Sequence, residues 1–179
     1  MPTPFRPALT LLTQYAAYHR DRRNIQTHLV GVPLIVLAIG VLLSHPVLPV
    51  AGLPLTPAWV LFALTSLWYL TRGEFALQLV VVDLMGVLIA AGHLLGQSSP
   101  SWVAWGVGLF VLGWVIQFVG HYYEGRKPAF ADDLVGLLVG PMFVVLELLA
   151  SMGACRKLMA RIEAEVGPTH LRDLTGTAA

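Results

Sequence analysis

The chain has 179 residues, 56 % of them hydrophobic and only 12 % charged, with a mean hydropathy of +0.73; this is too apolar for a soluble domain of its length and reads as a small integral membrane protein. The formal net charge of +1 hides short clusters of charge between long uncharged runs, which excludes a nucleic-acid surface as the leading reading. With one cysteine, Cys155, neither an intramolecular disulfide nor a CxxC motif is available, so metal chemistry has to use nitrogen and oxygen ligands.

In chain order, Pro7 to His19 places Ala8, Leu11, Leu12 and Tyr15 at helical spacing and predicts a short amphipathic helix. Residues 1–20 hold no continuous apolar core followed by a small-residue cleavage site, so a cleaved secretory signal is not expected. Five apolar runs follow: Leu29 to Leu43, Ala58 to Leu70, Phe75 to Leu95, Trp102 to Val119 and Leu134 to Ala150. A span needs roughly 20 helical residues, which the third and fourth supply and the shorter ones approach with flanking residues. Trp59, Trp68, Tyr69, Trp102, Tyr122 and Tyr123 stand near run ends, as an interfacial aromatic belt requires.

Arg20, Arg22, Arg23, Arg72, Arg126 and Lys127 flank one set of run ends, while the connections 44–57 and 97–101 carry no lysine or arginine. Basic loops stay cytoplasmic, so the N-terminus is expected inside, with four spanning helices. A straight fifth span would carry Arg156, Lys157 and Arg161 outside, and Gly140-Pro141 is expected to break that run at its middle into a re-entrant pair, with a kinked span as the competitor. The expected architecture is an all-α polytopic membrane bundle: one embedded domain over 1–166 with short amphipathic ends, the last over 155–166, and a flexible tail over 167–179.

Polar groups inside apolar runs are costly and mark candidate functional positions: Gln78, Asp83, His93, Gln117 and Glu147, with His28 and His121 at run ends. In "QFVGHYYEG", Gln117, His121 and Glu124 fall on one helix face, an imidazole with an amide and a carboxylate one turn away, which suits a metal ligand with supporting partners. The competing reading is that His121 caps the span and Glu124 pairs with Arg126. In "YHRDRRNIQTH", Asn24 and His28 share a face, but His19 lies nine residues before His28, about 180° around a continuous helix. Both rings reach one site only if the chain breaks between them, with Asp21 or Asn24 as N-cap. Taken alone, this stretch reads first as a basic interfacial anchor; the charge-derived topology, however, brings His28 and His121 to the same membrane depth.

His93 falls toward the opposite end of its span and joins the set only through tilt or a kink. Asp83 is expected as a buried structural acid near mid-span, and His45 and His170 as solvated. Zinc, iron, copper and nickel all suit three or four imidazoles. HExxH and the eight-histidine clusters of membrane desaturases are absent. Arg126 and Lys127 read as topology determinants.

"YHRDRRNIQTHLVGVP", with its H-x4-N-x3-H pattern, then "QFVGHYYEGRKPA" and "GPMFVVLE", together resemble the iron-dependent membrane dioxygenases that degrade 2-hydroxy fatty acids during phytosphingosine breakdown, and their bacterial relatives. The resemblance implies Fe(II) held by His19, His28 and His121, with His93 a looser match, and Asn24, Gln117 and Glu124 close by as catalytic candidates. It implies O2 and a 2-hydroxy fatty acid as substrates, a product one carbon shorter, membrane lipid as surroundings, and no nucleic-acid or obligatory protein partner. The expected location is a bacterial inner membrane, or the endoplasmic reticulum of a eukaryote, with the site on the cytoplasmic side. Two other classes compete: a transporter with a polar path along Asp83, His93, Gln117 and Glu147, and a non-catalytic membrane scaffold.

Overall fold

Pro7 opens the first helix in an extended conformation, and the carbonyl it contributes accepts the Leu11 N–H at 3.1 Å. The computed structural model describes residues 5–50, 52–129 and 133–175. In order these form α1 (Ala8–Ala16), α2 (Arg22–Leu42), β1 (Leu48–Val50), β2 (Leu53–Leu55), α3 (Pro57–Leu70), α4 (Phe75–Ser98), α5 (Trp102–Glu124), α6 (Gly136–Ser151) and α7 (Arg156–Val166). Backbone contacts divide the chain into two units, residues 1–30 with 116–179, and residues 31–115. The N-terminal end of α2 and the C-terminal end of α5 therefore belong to the first unit, the remainder of both helices to the second.

In the second unit, α2 and α4 touch backbone to backbone through two glycines. A Cβ on Gly40 would stand 2.8 Å from the Ile89 carbonyl, and one on Gly92 only 3.0 Å from Gly40 Cα, so any larger residue would force the helices apart. The β1–β2 hairpin departs from the all-α expectation. Its register is Leu48↔Leu55, Pro49↔Pro54 and Val50↔Leu53, which sets the prolines opposite each other, at a pair that needs no ladder N–H. Proline excluded helix from this stretch, and Gly52 at φ 80° turns it back on itself.

Among the described residues three helices are long and apolar enough to cross a membrane: α2, α4 and α5, with 21, 24 and 23 residues. The expectation of four full-length spans changes at α3, which has 14 residues and reaches about 21 Å against a core of about 30 Å. The fifth run changes too. α6 passes through Gly140 and Pro141 without a break; Pro141 lies near the helix start and forfeits a single bond, that to the Leu137 carbonyl. The bend, 114°, comes between α6 and α7. There Gly153 (φ 86°) ends α6 with Gly153 N–H on Ala150 O and Ala154 N–H on Leu149 O, the paired bonds of a Schellman motif.

The first unit packs α1 against α6 and α7. Leu11, Leu12, Tyr15 and Ala16 of α1, Met142, Phe143 and Leu146 of α6, and Leu158 and Ile162 of α7 are buried there. α7 leaves Arg156, Lys157 and Arg161 exposed, the amphipathic division expected of it. The segment after it, read from sequence as a tail, pairs His170 with Asp21 as a parallel bridge.

Candidate metal centre

Two imidazoles are fixed by the same local device. His19 Nδ1 lies 2.8 Å from the Tyr15 carbonyl and His28 Nδ1 2.9 Å from the Asn24 carbonyl, each four residues earlier. Carbonyls only accept, so Nδ1 carries the proton in both rings and Nε2 carries a lone pair. The two Nε2 atoms stand 3.2 Å apart. Burial first, then the adjacent His28, holds the His19 imidazole well below its ordinary pKa, so it is neutral. Two acceptor lone pairs thus face each other in a buried place, an arrangement that repels unless a cation lies between them.

His121 completes the group. Ligand atoms of His19, His28 and His121 all lie within 4.8 Å of one another, and the His121 ring centroid is 5.1 Å from each of the other two. With metal–nitrogen bonds of about 2.1 Å, neighbouring ligand nitrogens lie about 3.0 to 3.4 Å apart. The His19–His28 spacing already meets this. The donor set, three neutral imidazoles with two tautomers fixed by main-chain carbonyls, fits a divalent transition metal.

The break between His19 and His28 is present, and its cap is Asp21 rather than Asn24. Asp21 Oδ1 accepts the Arg23 N–H at 2.8 Å, and Asp21 O accepts that of Ile25 at 3.1 Å. The Arg23 guanidinium, 2.7 Å from Oδ2, is the main cause holding the Asp21 carboxyl well below the usual carboxylate range. Glu124 does not pair with Arg126. Its carboxylate accepts Arg20 N–H at 3.0 Å, Asp21 N–H at 2.9 Å and Asn24 Nδ2–H at 3.0 Å, so it collects two main-chain donors freed by the break and one side-chain amide from the start of α2. Asn24 links the two halves, donating to Glu124 through its amide and accepting from His28 through its carbonyl.

Gln117 is buried one turn before His121 on α5. His93 lies in the other unit, 3.5 Å from Thr56 Oγ1 and against Trp59; the three-histidine group of the described residues does not include it. His45 stands 3.4 Å from the Gly96 carbonyl. Asp83, expected to be buried, is exposed on α4, and Glu147 approaches Arg20 Nη2 at 4.0 Å. Arg126 donates to Ala17 O at 2.8 Å, tying the end of α5 to the end of α1.

Three residues beside the histidines were not read from the sequence as part of the site. Tyr15 stacks on His19 with centroids 4.1 Å apart and planes 7° from parallel, and Phe143 lies 5.4 Å from the same ring. The signals were there: Tyr15 sits four residues before His19, and Phe143 is within "GPMFVVLE". Gly120 is the third. A Cβ there would run into Thr27 Oγ1 and Asn24 Oδ1, so glycine lets α5 seat His121 against α2. We expect Gly120→Ala to cost about 1–3 kcal/mol and to lower bound metal, measured by thermal unfolding and metal analysis of the same sample.

A cavity of about 370 Å³ borders Tyr15 on α1, lined also by Arg6, Leu11, Asp133 and Val139. Arg6 and Asp133 form an ion pair at 2.8 Å beside it.

The family model described as "Mpo1-like: 2-hydroxy-palmitic acid dioxygenase Mpo1-like" matches residues 5–152. The 2-hydroxy-palmitic acid dioxygenase MPO1 of Saccharomyces cerevisiae is similar at 33 % identity over 153 residues, covering 83 % of each chain. No solved structure matches significantly.

Proposed function

The chain belongs to the Mpo1-like family and is an oxidoreductase, and from that premise we propose that it is a 2-hydroxy fatty acid dioxygenase using O2 and Fe(II) held by His19, His28 and His121. The observation that carries the metal is the pair of Nε2 lone pairs facing each other at 3.2 Å beside a third histidine. Iron bound there supplies the O2 and one-electron chemistry that no side chain provides. The chain's own groups do the rest. The Tyr15 and Asn24 carbonyls hold two rings in the ligating tautomer, Glu124 holds the turn between them, and Tyr15 and Phe143 keep water from the His19 face. The reaction balances without a further co-substrate: a 2-hydroxy acid and one O2 give the acid one carbon shorter, CO2 and water.

The same reading places α2, α4 and α5 as membrane spans, in a bacterial inner membrane or, in a eukaryote, the endoplasmic reticulum. Arg20, Arg22, Arg23, Arg126 and Lys127 then keep the histidine end cytoplasmic. There a lipid's polar head meets the site while its chain stays in apolar surroundings. The cavity beside Tyr15 is our candidate for part of that chain's path.

The test is metal analysis of anaerobically purified protein followed by O2 uptake with 2-hydroxypalmitate. We expect about one iron per chain and one pentadecanoate and one CO2 per O2 consumed. Bound iron with no shortened product from any 2-hydroxy acid would leave the centre standing and overturn the substrate.

A further inference from the structure

Asp21 and Arg20 belong to the turn that presents His19, and residues well beyond the span matched by the family model hold that turn. His170 N–H donates to Arg20 O at 2.9 Å, and Arg22 N–H donates back to His170 O at 2.9 Å. Arg172 N–H donates to Asp21 Oδ2 at 2.8 Å, while Arg23 Nη2 reaches Arg172 O at 2.7 Å. Arg20 Nη1 donates to Gly167 O at 3.0 Å, and the Nε of the same guanidinium donates to the Ala16 and His19 carbonyls at 2.9 and 3.0 Å. One face of the turn is thus bound by Glu124, and another by a short stretch of extended chain. At the break between α1 and α2, the Arg20 carbonyl and the N–H groups of residues 20–22 have no intrahelical partner. Without this stretch, Arg20 O and Arg22 N–H would lose their main-chain partners, and of the main-chain bonds that hold residues 20–22 from outside the helices only those to Glu124 would remain.

We propose that Gly167–Arg172 is a clasp that fixes the His19–Arg23 turn and thereby sets the affinity of the three-histidine centre for metal. It works through main-chain groups: the His170 side chain is exposed, and Leu171 is 64 % exposed. These are positioning residues, acting through His19 and touching neither metal nor substrate. Loosening a partner that orients a ligating histidine typically costs about 10–100-fold in metal affinity. The proposal rests on the metal reading of the histidines, and its test separates the two.

The test uses full-length protein in detergent, with Co(II) as probe, its visible absorption as signal and a competing chelator to set the free concentration. His170→Pro with Arg172→Pro removes two clasp N–H groups; Arg172→Pro alone is the milder version should the double variant fold poorly. Leu171→Ala leaves every clasp bond in place. We expect the proline variants to lose about tenfold or more in Co(II) affinity and to exchange amide hydrogens faster over residues 20–24, with Leu171→Ala unchanged in both. Wild-type affinity in the folded proline variants overturns the clasp. If the unaltered protein binds no Co(II), the metal reading and the affinity half of the proposal fail together, and amide exchange decides whether the clasp fixes the turn: faster over 20–24 upholds that half, unchanged overturns it.

Discussion

Alanine in place of His19, His28 or His121 is expected to strip the metal and to lower turnover by more than the ~100-fold that loss of an outer partner costs. Each ring is one of three donors, and among the described residues no other histidine, cysteine or acid joins the group. His19 and His28 are 0 % and 1 % exposed, so no water from bulk readily replaces the missing nitrogen. His19→Ala also removes the ring stacked on Tyr15 and is the most disruptive of the three, which makes His28→Ala and His121→Ala the cleaner tests. His93→Ala is expected to keep its metal, because its ring is engaged with Thr56 and Trp59 in the other unit. Metal content after dialysis and O2 uptake on the same preparations check all four. Full metal retention in folded His28→Ala and His121→Ala would sink the ligand assignment.

Glu124→Ala should destabilise the protein by about 3 kcal/mol or more, since three buried donors, Arg20 N–H, Asp21 N–H and Asn24 Nδ2–H, lose their acceptor at about 1 kcal/mol or more each. Glu124→Gln is expected to fall between. All three donors approach Oε2, whereas Arg20 N–H alone also approaches Oε1 at 3.0 Å. An amide oxygen placed at Oε2 therefore keeps the main contacts, and the NH2 group opposes one donor. Thermal unfolding in detergent should rank wild type above Gln above Ala, with metal affinity following the same order. A Glu124→Gln protein with wild-type stability and metal content but no turnover would instead make Glu124 a group acting on the substrate.

The local periodicities carried much of this molecule. Long uncharged runs became α2, α4 and α5, and the nine-residue separation of His19 and His28 demanded a break that lies where an acidic cap was available. The same local logic failed at Pro141. A proline rule written for helix interiors expected a break there, whereas the helix end was written in Gly153, whose left-handed conformation the Schellman bonds require. Likewise the run Ala58 to Leu70 was apolar enough for a span but too short to make one.

From sequence alone came the membrane-like helical composition, the restriction of any metal chemistry to nitrogen and oxygen ligands, and the pairing of "YHRDRRNIQTH" with "QFVGHYYEG" as one candidate site. Only the tertiary structure decided that Glu124 serves main-chain N–H groups a hundred residues away, that Tyr15 and Phe143 wall His19, and that His170 and Arg172 bind the turn. The reason is the range of the forces. Side-chain spacing along a helix fixes which residues share a face within a turn or two. The donors and acceptors freed where a helix breaks have no partner within the helix, and they are satisfied by whichever groups the fold carries to them, at any distance along the chain.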